Sequence, residues 1–162
     1  MELPPISNPD LVTAGLRFLN AVICLVSVLA YHEFTTQIPH SVSVAMPRES
    51  RQPSLDYPPL SVHRFSDLAF RAGVEEHQID RVSVKIYSPK KTLADCFKFR
   101  NKIGMDVVLE ALKLYKARKQ FNLDVLLKYA KVCHVEKVML PYLEASTWNP
   151  RRISPHLSGN AF

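Results

Sequence analysis

The amino-acid sequence predicts an α+β fold in which a small sheet of about four strands, mostly antiparallel or mixed, packs against helices. Two patterns support this prediction. The middle of the chain alternates polar and apolar residues with the period of two that marks half-buried strands. From Pro89 onward, the apolar residues recur at helical spacing. Because strands and most helices are segregated along the chain, with one helix before the strands and about four after them, an α+β fold is favoured over a wound parallel sheet.

The composition is typical of one ordinary folded domain. The chain has 162 residues, of which 47% are hydrophobic, and this excludes a disordered chain. The formal net charge of +6 favours acidic or polyanionic partners. Cys24, Cys96 and Cys133 lie far apart among apolar neighbours and form no C-x-x-C pair. Buried free thiols in a reducing compartment are therefore expected, not a zinc ribbon or a redox site.

The N-terminal part predicts an irregular lead-in followed by a buried helix. Residues 1–16 contain three prolines and one glycine and are predicted to be irregular. Asn20 is a suitable N-cap for a helix that runs to about His32. The apolar run within that helix is much shorter than the roughly 20 residues that a membrane span needs. Since Glu2 and Asp10 do not fit a secretory signal, a soluble cytoplasmic protein without a membrane partner is expected.

Four strands are predicted after this helix. They cover residues 41–46, 60–65, 74–79 and 82–87. Pro47 is expected to end the first strand, and the proline-rich residues 48–59 are expected to form a loop. The last two strands are predicted to form a hairpin across Asp80 and Arg81, although no glycine marks the turn.

Four helices are predicted in the C-terminal half. Pro89 suits the first turn of the first helix, and Gly104 suits its end. The second helix carries apolar residues at the i, i+3, i+4, i+7 spacing, and the third begins at Asn122 as its cap. In the last helix, Pro141 is expected to bend or end the helix. Residues 146–162 are expected to form a flexible tail.

The patterns that carry common chemistries are weak in this sequence. The four glycines do not cluster, which excludes a P-loop or a Rossmann fingerprint. The six histidines are dispersed without a second ligand at a workable spacing, so neither a metal site nor a cofactor or catalytic residue is predicted. A diverged nuclease remains as a third hypothesis and would depend on Glu76 and Lys85. However, Ser83 stands where a metal ligand is needed, and Glu75 and Glu76 point to opposite faces of a strand.

A concentration of basic residues between positions 85 and 119 is the remaining candidate site. Ten Lys or Arg residues are opposed there by three acids. This pattern is either an ordinary solvated helix face or a docking surface for an acidic protein or for phosphates. Lys91, Asp95, Lys98 and Lys102 are predicted to share the polar face of the helix that begins near Pro89. The candidate contact residues of this basic face are Lys90, Lys91, Lys98, Arg100, Lys102, Lys113 and Lys116.

Several blocks of the sequence occur together in an order that is typical of one protein family. They are residues 21–39, the strand 42–47, residues 55–65, residues 73–77, and residues 88–104 with the sequence SPKKTLADCFKFRNKIG. In this ordered set, the chain resembles the AbiEi family of bacterial antitoxins and transcriptional regulators. Members of that family form the regulator half of type IV toxin–antitoxin pairs that act in abortive infection by phage.

The resemblance implies an effector domain over residues 17–145. Such a domain counters a nucleotidyltransferase-like toxin of the AbiEii type and contributes to repression of the shared operon. Family members usually carry an N-terminal winged helix that binds operator DNA, and this part is expected to be missing ahead of Arg17. Three hypotheses follow: a non-catalytic antitoxin-type regulatory protein, a transcriptional regulator that binds DNA through the basic face, and the diverged nuclease.

Overall fold

The computed structural model describes residues 8–118 and 121–147, and it shows an α+β fold built on a mixed five-stranded sheet. The elements are α1 (Pro9–Arg17), β1 (Val22–Ile23), α2 (Leu25–Tyr31), β2 (Val42–Pro47), β3 (Leu60–Phe65), α3 (Asp67–Arg71), β4 (Val74–Ile79), β5 (Val82–Tyr87), α4 (Pro89–Lys98), α5 (Arg100–Ile103), α6 (Met105–Lys116), α7 (Leu123–Val132) and α8 (Glu136–Thr147). The strand order is β3-β2-β1-β5-β4. Strands β2 and β3 are parallel, as are β1 and β5, whereas β1 with β2 and β4 with β5 are antiparallel.

Helix α1 corrects the prediction that residues 1–16 are irregular; residues 1–7 lie outside the described part of the chain. Pro9 occupies the first turn, where its missing N–H removes no intrahelical hydrogen bond. Leu11 and Ala14 are buried, and the helix packs on β5 and β2. Pro9, one of the prolines that indicated an irregular segment, therefore marks the start of a helix.

The helix predicted from Asn20 to His32 is only half correct. Val22 and Ile23 form the central strand β1, and only Leu25–Tyr31 is helical. A short, continuous apolar run has the same pattern in a buried strand as in a buried helix, so periodicity cannot distinguish them. This extra strand explains why the sheet has five strands and not about four.

The four predicted strands are confirmed as β2 to β5, and Pro47 is the last residue of β2. The predicted hairpin joins β4 and β5 in an antiparallel register. Asp80 and Arg81 both have a positive φ, of 50° and 70°. Positive φ at both central residues is typical of two-residue hairpin turns, whose twist matches that of the two strands they connect.

The predicted cap at Asn122 is confirmed, because its side chain accepts a hydrogen bond from the Val125 amide at the start of α7. At the start of α4, the Ser88 hydroxyl accepts a hydrogen bond from the Lys91 amide. The prediction that the helix starting at Pro89 ends at Gly104 is wrong, because that helix, α4, ends at Lys98. Gly104, with a φ of 94°, ends the separate short helix α5. The expectation for Pro141 is corrected in part, because α8 continues past it to Thr147.

Helix α4 lies at the centre of the helical layer. Residues 91–97 are all buried, and α4 contacts α2, α6 and α7. The three cysteines are free and buried, as predicted. None of the described helices combines the length and the apolar character needed to cross a membrane. Most of the predicted tail, residues 148–162, lies outside the described residues.

Candidate functional site

Lys91 forms a buried ion pair with Asp95 one turn later in α4. The Lys91 ammonium lies 2.8 and 2.7 Å from the two carboxylate oxygens of Asp95. The side chains of Lys91 and Asp95 are 0% and 2% exposed. The prediction that both residues lie on a polar helix face is therefore wrong. Residues four apart lie on the same side of a helix. The opposite charges of Lys91 and Asp95 therefore balance each other on the buried side of α4.

The environment of this ion pair is aromatic on one side and polar on the other. The Lys91 ammonium lies 4.1 Å from the centre of the Tyr87 ring and 4.9 Å from that of Phe65. Such contacts between a cation and aromatic faces are favourable, the more so without water. On the other side, the Cys133 thiol donates to Asp95 Oδ1 over 3.3 Å. The pair thereby connects α4 with β3, β5 and the end of α7.

Burial shifts the acidity of the groups around this pair. It raises the pKa of the Asp95 carboxyl to about 6, against the opposing attraction of Lys91. It also raises the pKa of the Cys133 thiol, and the nearby Asp95 charge raises it further. Burial raises the pKa values of Cys24 and Cys96 as well. Since the thiolate is the nucleophilic form, all three cysteines are poor nucleophiles at neutral pH.

A cleft of about 190 Å³ opens above the ion pair. Its lining includes Arg48, Arg64, Phe65, Asp95, Lys98, Phe99 and Cys133. Within residues 8–118 and 121–147, the exposed Arg48 and Lys98 form no ion pair. In the described part of the chain, the Arg64 guanidinium donates to the neutral oxygens of Pro47, Ser50 and Gln52, which do not cancel its charge. We call this feature, defined by Arg48, Arg64 and Lys98, the cationic cleft.

The structure assembles only part of the predicted basic face at this cleft. Lys98 lines it, and the Lys102 ammonium lies 5.6 Å from the ring of Phe99, which also lines it. Lys91 is excluded because it is buried. The side chain of Arg100 donates to the Phe97 carbonyl. The other predicted contact residues, Lys90, Lys113 and Lys116, do not line the cleft.

Sequence reasoning missed the two arginines of the cleft. Arg48 directly follows β2, and Arg64 lies on β3, far along the chain from the lysine-rich helices. Only the packing of α4 against the sheet places them beside Lys98. The sequence offered one signal for Arg64, the alternation of polar and apolar residues in β3. It places the side chain of Arg64 on the face of the strand opposite to that of His63.

A second cluster of polar side chains lies at the edge strand β4. His32, at the end of α2, meets Glu75 and His77, and the three residues offer ligand atoms that lie within 4.8 Å of one another. Burial and the neighbouring His77 lower the pKa of His32. The search for ligands at close sequence spacing could not find this cluster, because His32 meets its partners on a distant strand. The Glu-x-His spacing on β4, which puts both side chains on one face, was the signal available.

The residues of the nuclease hypothesis lie on the other face of β4. Glu76 is the register partner of Lys85. The Ser83 hydroxyl donates a hydrogen bond to the Glu76 carboxylate over 3.4 Å. This arrangement confirms that Glu75 and Glu76 point to opposite faces. Among the described residues, Glu76 is the single carboxylate that lines the pocket of about 250 Å³ at this position. A metal-dependent nuclease needs several carboxylates that converge on the metal.

No model of a known protein family matches this chain, and no curated protein matches it at a significant level. The sequence blocks that resemble the AbiEi family are neighbours in the structure. They contain β1, β2, β3, most of β4, and the helices α2, α4 and α5.

Proposed function

We propose that the protein is an antitoxin-type regulatory protein that counters a nucleotidyltransferase-like toxin of the AbiEii type and acts by binding, through the cationic cleft. The observation that supports this proposal most directly is the cleft itself, in which Arg48, Arg64 and Lys98 surround one opening. Three uncancelled positive charges around a concave surface favour an acidic group of a partner.

The floor and walls of the cleft suit binding better than chemistry. The Asp95 charge at the floor is balanced by Lys91, so it does not cancel the charge of the rim. Phe65 and Phe99 add apolar contact area. The Cys133 thiol is kept protonated by burial and by Asp95, which makes it unsuitable as a nucleophile. The cleft therefore offers positive charge and apolar surface without an activated group.

Co-expression with a nucleotidyltransferase-like toxin of the AbiEii type tests the proposal. The wild-type chain should restore the growth of cells that express the toxin. Arg48→Glu and Lys98→Glu should each reduce this rescue by at least about tenfold in surviving colonies, as expected for a loss of about 1.4 kcal/mol or more. Lys113→Glu is the matched control, because Lys113 is exposed but does not line the cleft.

Two outcomes would contradict the proposal. If the wild-type chain gives no rescue although it is expressed and folded, the antitoxin role fails for this chain. If the cleft variants and the Lys113→Glu control rescue equally well, the docking surface does not lie at the cleft.

A second candidate function is binding of DNA through the same region. It is supported by the position of Lys102 next to Phe99, which extends the positive charge of the cleft beyond Lys98. Contact with about three phosphates gives a salt slope of about −2.7, so binding should weaken about 40-fold between 50 and 200 mM salt. Fluorescence anisotropy with the DNA upstream of the gene measures this dependence.

The variant Lys102→Glu separates the two functions, because Lys102 extends the positive charge without lining the cleft. Loss of DNA binding with unchanged toxin rescue would assign Lys102 to DNA. No complex with DNA at 50 mM salt would rule out the second function. Lys91 is not included in the variant, because its substitution would disturb the buried ion pair.

A further inference from the structure

The side chains of His32, Glu75 and His77 form a compact cluster that does not line the cationic cleft. We propose that this cluster binds a divalent transition-metal ion of the Zn²⁺ type, through one nitrogen of each histidine and one carboxylate oxygen of Glu75. The site joins the end of α2 to the edge strand β4. It does not depend on the antitoxin role.

The donor atoms are close enough to coordinate one ion after small side-chain movements. All of them lie within 4.8 Å of one another, and His77 Nε2 is already 3.0 Å from Glu75 Oε1. Tetrahedral Zn²⁺ with bonds of roughly 2.0–2.2 Å separates neighbouring donors by about 3.4 Å. The widest separation in the cluster would therefore shorten by at most about 1.4 Å, which small side-chain rotations allow.

One polar atom of the cluster has no hydrogen-bond partner in the described part of the chain. His32 Nε2 is shielded from solvent and forms no hydrogen bond within the described residues. Buried polar atoms of this kind are uncommon, and each calls for an explanation. Coordination of a cation by this nitrogen would satisfy it.

Tyr31 supports the second histidine. Its hydroxyl lies 3.4 Å from His77 Nδ1, while His77 Nε2 is turned toward Glu75. Histidines that ligate metals usually have their other ring nitrogen held by a neighbouring group, which fixes the tautomer and the ring orientation. The end of α2 thus supplies both a ligand, His32, and the residue that orients another ligand.

The backbone around the ligands is well supported. The His32 amide donates to the Val28 carbonyl, and the His32 carbonyl accepts from the Arg118 guanidinium, each over 3.0 Å. Glu75 and His77 are alternate residues of β4, which pairs with β5 along its whole length. Donors on two supported elements lose little conformational freedom when they bind an ion. The nearby charge of Arg118 opposes a cation, so we expect weaker binding than at a zinc site with thiolate ligands.

The donor set selects the class of ion. Two imidazoles with one carboxylate suit Zn²⁺ and related transition metals, whereas Mg²⁺ and Ca²⁺ prefer oxygen ligands alone. Three protein ligands leave a fourth position for water. Zn²⁺ is therefore the appropriate probe, and Mg²⁺ is the negative control.

Titration of the EDTA-treated full chain with ZnCl₂, followed by calorimetry and by thermal unfolding, tests the site. We expect one equivalent of Zn²⁺ to bind. With Zn²⁺ about 100-fold above its Kd, the Tm should rise by about 5–10 °C, and MgCl₂ should cause no rise. Co²⁺ should bind with the same stoichiometry and give visible ligand-field absorption, which reports directly on coordination.

Variants assign the binding to this cluster. Glu75→Gln and His77→Gln should each weaken Zn²⁺ binding by at least about tenfold, and Tyr31→Phe by about tenfold. Glu75 and His77 lie on the edge strand and are not fully buried, so both variants should fold, which circular dichroism verifies. Glu76→Gln is the matched control, because it removes the same charge from the opposite face of β4. His40→Gln controls for binding to any exposed histidine.

Three results would overturn the proposal. The first is the absence of Zn²⁺ binding to the wild-type chain. The second is unchanged affinity in the Glu75→Gln/His77→Gln double variant. The third is an equal loss in Glu75→Gln and Glu76→Gln, which would attribute the effect to net charge and not to coordination.

Discussion

The buried pair of Lys91 and Asp95 allows a sharp test of the structure by a double-mutant cycle. Lys91→Met keeps the length of the side chain and removes its charge, and Asp95→Asn keeps the shape and removes the opposite charge. Each single variant leaves one buried charge without its partner. The double variant leaves none, so the two substitutions should be far from additive.

The geometry sets the expected magnitudes. At the observed separations of 2.7 and 2.8 Å, the attraction is about 6 kcal/mol for an effective dielectric constant of about 20. Breaking a buried pair by removing one partner lowers the free energy of unfolding by about 3–5 kcal/mol, whereas replacing both charges is often nearly neutral. We therefore expect each single variant to lower the free energy of unfolding by about 3–5 kcal/mol and the double variant by at most about 2 kcal/mol, which gives a coupling energy of at least about 4 kcal/mol.

The pH dependence of Lys91→Met provides an independent check. Burial raises the pKa of Asp95 to about 6, and Lys91 opposes this shift. Without Lys91, the pKa of Asp95 in the folded protein should rise further, while it stays at about 3.9 in the unfolded chain. The folded state then takes up the proton at a higher pH than the unfolded state does. The variant should consequently become more stable as the pH falls through the raised pKa, and the gain is complete near the unfolded value.

Urea unfolding followed by circular dichroism measures all four free energies of unfolding. The exposed pair of Asp67 and Arg71 is the matched control. It has the same spacing, an N–O distance of 3.2 Å, and side chains that are 69% and 75% exposed. The corresponding cycle with Asp67→Asn and Arg71→Met should give a coupling energy below about 0.5 kcal/mol. Additive losses at Lys91 and Asp95 would refute the buried ion pair.

Three further predictions concern the fold and use the same urea measurement. Asn122→Ala should lower the free energy of unfolding by about 1 kcal/mol because the cap to the Val125 amide is removed. Asn122→Ser should retain most of this stabilisation, because serine can also cap the helix. Gly73→Ala should lower the free energy of unfolding by more than about 1 kcal/mol, because φ is 74° and the added Cβ would lie 2.5 Å from Lys91 Cβ. An unchanged midpoint of urea unfolding would contradict this backbone conformation. Arg81→Gly should gain about 0.5 kcal/mol because φ is 70°, and a loss would contradict the turn.

Regular patterns made much of the fold predictable, and β1 shows why the rest was not. Strands β2 to β5 could be predicted because polar and apolar residues alternate or because prolines and turn residues bound them. Strand β1 has two residues, both fully buried between β2 and β5. Its burial on both faces removes the alternation on which prediction depends. Pro9 was ambiguous for a similar reason, since a proline suits a loop and a helix start equally well.

The candidate sites were less predictable because their residues meet only in three dimensions. Helical periodicity placed Lys91 and Asp95 on the polar face, as it does for most charged residues of this spacing. It could not show that the end of α7, with Cys133, covers them. The contact between His32 and His77 was unpredictable for the same reason. No local sequence pattern relates the end of α2 to β4, an edge strand on the far side of β5.

The inward position of Lys91 has a consequence for the cationic cleft as well as for stability. Asp95 lies at the floor of the cleft, and in the wild-type protein the ammonium of Lys91 balances its charge. In Lys91→Met, an ionised Asp95 would oppose the positive rim formed by Arg48 and Lys98, so an acidic partner should bind more weakly at pH 8. Protonation of Asp95 removes that repulsion. The affinity of the folded variant should therefore recover as the pH falls through the raised pKa of Asp95, whereas Asp95→Asn, which carries no such group, should show no recovery over the same range. Identical pH profiles for the two variants would show that the charge of Asp95 does not affect the affinity for the partner.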